Sequence, residues 1–74
     1  MKVNIKQSTC IKAAFYAPTT EILTVEFQSG HLYEYLQVPA SVVQQWVVCS
    51  ALPKGSVGSQ FSGLIKNVYS YKKI

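Results

Sequence analysis

The chain has 74 residues, 49% of them hydrophobic and 14% charged, with seven lysines, no arginine and three glutamates for a net charge of +4. That composition excludes a disordered chain, and the length allows one core of modest stability, for which a dimer or partner contact would matter. No apolar run reaches the roughly 18–20 residues of a membrane span, and Met1 to Cys10 lacks the apolar segment of a secretory signal, so a cytoplasmic protein is expected.

Residues 1–7 alternate, with Val3 and Ile5 on one side and Lys2 and Lys6 on the other. They are expected as a short arm or a lysine-protected edge strand. After Ser8-Thr9 a second alternating run, Cys10 to Tyr16, opposes Ile11, Ala13 and Phe15 to Lys12, Ala14 and Tyr16. Pro18 with Thr19 and Thr20 marks a turn. Leu23, Val25 and Phe27 then share one face, and Ser29-Gly30 separates them from a run ending at Pro39. In that run Leu32, Leu36 and Val38 oppose Tyr33 and Tyr35. A glycine between two β-rich alternating runs signals a hairpin, since glycine tolerates the positive φ of tight turns. Residues 11–38 are therefore expected as a three-stranded antiparallel meander.

The period then lengthens. Val42, Val43, Trp46, Val47 and Ser50 lie on one helix face, and Pro39 suits a helix start. Valines restrict χ1 and make poor helix formers, so burial of Trp46 near Phe27 or Phe15 must hold this helix. Leu52 to Ser56 reads as a loop. Phe61, Leu64, Ile65 and Val68 fall at helical spacing, with Ser59 as candidate N-cap and Gly63 a weak point. Residues 69–74 form a last strand or a basic aromatic tail. The fold class is α+β, an antiparallel meander of three to five strands with one or two short helices, in a single domain.

Catalytic parts are scarce: one histidine, no aspartate and three scattered glutamates. A Cys–His nucleophile would need Cys10 or Cys49 beside His31, with no third residue evident to orient the ring. Neither cysteine sits in a Cys-x-x-Cys pair, so no metal and no cofactor is expected. The chain is read as a non-enzyme. Tyr33 and Tyr35 emerge on one sheet face, where two rings either stack unpaired bases or form core beneath Trp46 and Phe61. Glu34 on the opposite face favours the core. Lys54 and Lys66 bracket a loop in which Gly55, Ser56, Gly58 and Ser59 offer N–H groups to an anion, or serve only as a loop. Lysine as the sole cation favours phosphate contact over base-edge reading.

In their order and spacing, Ser8-Thr9, Tyr16, Pro18, residues 23–27, Gly30, Tyr33-Glu34-Tyr35, Val38-Pro39, Ser56-Val57-Gly58, Phe61, Ile65-Lys66 and Tyr69 resemble the KTSC domain. That module is found at the C-terminus of some lysyl-tRNA synthetases and as stand-alone bacterial and phage proteins. Ala17 replaces the family's usual Asp, Ser62 an Asn and Lys66 an Arg, which keeps the charge but loses the fork. The resemblance implies a fold and a neighbourhood of RNA-handling proteins, and no reaction.

Two functions are expected from these features. In the first, the chain is a binding module for RNA or RNA-handling machinery such as a tRNA synthetase, using Tyr33, Tyr35, Lys54, Lys66, Lys72 and Lys73. In the second, it is a phage-type protein-interaction factor that docks on RNA polymerase, by strand addition or charge, through an edge formed by Lys2, Val3, Ile5 and Lys6 or through the C-terminal tail. Either acts as a monomer or weak dimer away from membranes.

Overall fold

The computed structural model describes residues 2, 3, 5, 10–51 and 57–74. Four strands form one antiparallel sheet in the order of the sequence: β1 Ile11–Ala17, β2 Ile22–Phe27, β3 Leu32–Tyr35 and β4 Tyr71–Lys73. Helix α1, Ala40–Ala51, and helix α2, Val57–Phe61, follow β3, and α2 continues into a π-helical turn, Ser62–Lys66. The architecture is α+β, with a fourth strand added to the expected meander by the basic tail.

The central hairpin turns as its glycine demands. Phe27 N–H donates to His31 C=O at 3.0 Å, Gly30 N–H donates to Phe27 C=O at 2.9 Å, and Gly30 has φ 93°. A turn followed by one left-handed residue is the usual three-residue hairpin loop.

Alternation within the strands fails at two places, each with a backbone cause. A register shift between Ile11 and Ala13 moves the inward face of β1 to Ile11, Ala14 and Tyr16, so Phe15 lies outside and exposed rather than beside Ile11. At the end of β3, Tyr35 is buried and the next residue, Leu36, is exposed, as alternation requires. Val38, expected on the face of Leu36, is fully buried. Between Leu36 and Val38, Gln37 takes a left-handed φ of 55°, which breaks the alternation and turns Val38 inward.

The core lies between the sheet's inner face and the helices. Trp46 is fully buried and its ring lies 5.4 Å from that of Phe61, which in turn meets Tyr35 at 5.2 Å and Phe27 at 6.0 Å. Trp46 therefore reaches Phe27 through Phe61, and the expected neighbour Phe15 is on the far side of the sheet. The indole Nε1–H donates to Val57 C=O at 3.1 Å, which ties α1 to the first residue of α2. Ser50, on the same face of α1, is buried by donating its hydroxyl to Trp46 C=O at 2.6 Å. Helical spacing places Val68 with Phe61 and Ile65, but the π-turn advances the chain by an extra residue per turn and Val68 is exposed. Ser59 lies inside α2 and is not its cap.

The N-terminal residues that are described sit along β1. Val3 N–H donates to Ala14 C=O at 2.8 Å, Lys2 bridges to Phe15, and Val3 is buried. Val3 is thus part of the core, and Ile5 packs against it. Lys2 is exposed, and Lys6 lies outside the described residues. No described helix is long and apolar enough to cross a membrane.

Candidate nucleic-acid interface

Antiparallel pairing decides which side chains share a face. Leu23 opposes Tyr35 and Val25 opposes Tyr33, so both tyrosines stand on the inner, helix-facing side. Pairing with β4 adds Tyr71 opposite Tyr35 and Lys73 opposite Tyr33 on that side, and puts Lys72 opposite Glu34 on the outer side. The helices do not cover the whole inner face. Where they stop, a groove of about 600 Å³ opens between the hairpin tip and the segment after the π-turn.

Its aromatic surface comes from Phe27, Tyr33, Tyr35 and Tyr71. The Tyr71 ring lies 5.4 Å from Tyr33 and 5.6 Å from Tyr35, and Tyr33 meets Phe27 edge-on at 5.3 Å. Exposure grades across this cluster: Tyr35 is 2% exposed and forms the floor, Tyr33 is half-buried, and Tyr71 is 58% exposed. Burial, then the neighbouring phenols of Tyr71 and Tyr33, raises the Tyr35 pKa above its ordinary value, so its hydroxyl stays a neutral donor at physiological pH.

The polar rim has two sides. Cys10, Gln28, Ser29 and His31 come from the hairpin side, and Lys66 and Asn67 from the other. The Asn67 side-chain amide donates to Ser62 C=O at 3.2 Å, five residues back, which braces Asn67 against the π-turn beside Lys66. No described acidic residue lines the groove. Glu34 and Glu26 are on the outer side of the sheet, where Glu26 lies 4.0 Å from Lys12, and Glu21 sits in the β1–β2 turn. The carboxylates of the sheet stay on its outer side, with Lys12 and Lys72 for company, and leave Lys66 and Lys73 with the aromatic rings on the inner side.

Of the residues expected from the sequence, Tyr33, Tyr35 and Lys66 meet in this groove, and Lys73 stands on the same sheet face. Lys72 points to the other face. Lys54, Gly55 and Ser56 lie outside the described residues, while Gly58 and Ser59 are within α2. Sequence reasoning missed Tyr71, Phe27, Gln28 and Asn67 as groove residues. The signal for Tyr71 was its place in a Tyr-x-Tyr-Lys-Lys run that reads as a strand; nothing local marks Asn67. Cys10 and His31, considered as a nucleophile pair, share the hairpin wall of the groove.

Comparison with known proteins gives the lineage. A family model for the KTSC domain matches residues 7–71. An uncharacterized protein of Stutzerimonas stutzeri is 39% identical over the whole chain and 99% of its own length. A lysine–tRNA ligase of a Nostoc species is 38% identical over 92% of this chain, and one of Trichormus variabilis is 35% identical over the same share. The chain spans only 11% of the length of these ligases. The crystal structure of a KTSC domain protein from Yersinia pestis superposes with a TM-score of 0.83 at 27% identity, covering all of this chain and 96% of that one. With sequence match, fold and stand-alone relative in agreement, the chain belongs to the KTSC domain family.

Proposed function

We propose that this domain is a small non-enzymatic module that binds single-stranded RNA through the groove of Phe27, Tyr33, Tyr35 and Tyr71. The observation that carries the reading is a graded aromatic surface beside a cation, with no described carboxylate among its walls. Exposed rings stack on unpaired bases of any identity, and lysine neutralises backbone phosphate without reading sequence. The ligase relatives support the same reading, since a tRNA ligase works on RNA. Docking on RNA polymerase by strand addition along residues 2–6 has less support, because Val3 is already engaged with β1 and the core.

Titration of a fluorescein-labelled, unstructured RNA oligonucleotide with the purified domain at low salt tests this. Saturable binding that weakens linearly in log K against log salt is expected. Absence of any anisotropy change with single strands or tRNA would remove direct RNA contact, and a partner retained from nuclease-treated lysate would then point to a protein ligand.

A further inference from the structure

We propose that the groove is a seat for a single nucleotide unit, with the base on Tyr71 and Tyr33 and its phosphate on Lys66. The inference rests on the RNA reading above and assigns the ligand unit of that same site.

Three features lead to it. The first is size: about 600 Å³ falls within the range of small-ligand pockets, whereas a strand-long channel would run past the ends of the sheet. Second, the rings are not a flat row. Tyr71 lies against both Tyr33 and Tyr35, at centroid separations of 5.4 and 5.6 Å and tilts of 56° and 40°, so the rings offer a single exposed stacking surface on Tyr71 with Tyr33 beside it. Successive bases would need successive parallel faces. Third, the rim pairs a lysine on one wall with hydrogen-bonding side chains on the other. Lys66 is exposed and lies across the groove from Gln28, Ser29 and His31. A base seated on Tyr71 would turn its polar edge to the hairpin wall while its phosphate meets the Lys66 ammonium. Asn67, braced on Ser62, fixes the backbone next to that lysine. Stacking rather than edge reading dominates this arrangement, so a purine, with its larger face, is favoured over a pyrimidine.

The test is a chemical-shift titration of the ¹⁵N-labelled domain with four probes: AMP, UMP, adenosine and ribose 5-phosphate. AMP is expected to bind with a millimolar or tighter Kd, to exceed UMP several-fold, and to shift the amides of residues 28–33 and 66–71. Adenosine and ribose 5-phosphate should each bind about tenfold or more weaker. Lys66→Gln should bring AMP down toward adenosine while leaving adenosine unchanged. Tyr71→Phe, which keeps the ring, should retain AMP, and Tyr71→Ala should weaken it about tenfold or more. If ribose 5-phosphate matches AMP, or if Lys66→Gln weakens adenosine as much as AMP, the proposed seating is wrong. Oligonucleotide binding without any mononucleotide binding overturns this inference and leaves the RNA reading standing; loss of both overturns both.

Discussion

The Tyr16 hydroxyl donates to the Val38 carbonyl at 2.6 Å, a buried bond joining β1 to the start of the helical layer across 22 residues. Val38 is held on its other side too, its N–H donating to Glu21 C=O at 2.9 Å. The two non-glycine residues with left-handed backbones among the described residues, Glu21 and Gln37, lie at these contacts. The strain of each, on the order of 1 kcal/mol or more, is offset by the bonds that fix the chain there.

Tyr16→Phe leaves the Val38 carbonyl buried without this donor and is expected to destabilise the domain by about 1–3 kcal/mol. A urea melt should show a lower midpoint at an unchanged slope. The pH dependence has a definite sign. Burial, and after it the Glu21 carboxylate, raises the Tyr16 pKa in the fold. Its contribution is therefore complete below the unfolded tyrosine value of about 10 and is lost as pH climbs through the higher folded value. Tyr35 behaves likewise. Stability of the native domain should fall above about pH 10, and less steeply in Tyr16→Phe.

Trp46 holds the helical layer. Its replacement by Ala opens a cavity against Phe61 and should cost about 3–5 kcal/mol, enough to leave little folded protein. Trp46→Phe keeps part of the volume but strips the donor from Val57 C=O, and should retain a fold with a lower melting temperature. In the native domain, tryptophan emission should be blue-shifted and poorly quenched by acrylamide. Emission like that of free indole would contradict the packing.

The tyrosines divide by burial. Tyr35→Ala removes a fully buried ring and should unfold the domain, at about 3–5 kcal/mol. Tyr71→Ala removes a largely exposed one and should lower the melting temperature far less while reducing RNA binding. Equal thermal losses in the two variants would make Tyr71 a core residue and not a contact surface.

The lysines divide by sheet face, which the sequence alone does not reveal. Lys66 lines the groove and Lys73 shares its face, whereas Lys72 stands outside opposite Glu34. Lys66→Gln and Lys73→Gln should each weaken RNA binding and make the salt slope shallower by roughly 0.7 for every phosphate left without its lysine. Lys72→Gln should do neither. A uniform response of all three would mean diffuse attraction to a basic domain.

Why some of this was legible and some was not follows from local physics. The hairpin and α1 show in the sequence because Gly30 and the stripe of Val43, Trp46 and Val47 satisfy their periods over many residues. Tyr33 and Tyr35 were assignable to the inner face because Glu34 sits between them and cannot be buried unpaired. Phe15, Val38 and Val68 departed from their expected faces because each follows a local irregularity: the β1 register shift, the Gln37 left-handed residue and the π-turn. Such devices insert or rotate one residue, and alternation cannot report them. The groove was half legible. Its tyrosines and Lys66 stand out by type, but bringing Tyr71 beside Tyr33 depends on β4 pairing with β3 across the whole helical segment between them, which only the tertiary structure specifies.

Two glycines give opposite expectations from one substitution. Gly30 holds φ 93° in the hairpin loop, and although a methyl there would meet no atom within 4 Å, an alanine would be forced into a conformation that L-residues rarely adopt. Gly30→Ala should therefore destabilise by about 1 kcal/mol or more, through backbone strain and not through a clash. Gly63 lies within the π-turn, has no left-handed φ, and also faces open space. There alanine costs nothing in the fold and restricts the unfolded chain, so Gly63→Ala should stabilise by about 0.5–1 kcal/mol. Thermal melts of the two variants beside the native domain should move in opposite directions. A lower melting temperature for Gly63→Ala would mean that the π-turn needs the glycine's own backbone freedom, and with it the placement of Lys66 on the groove.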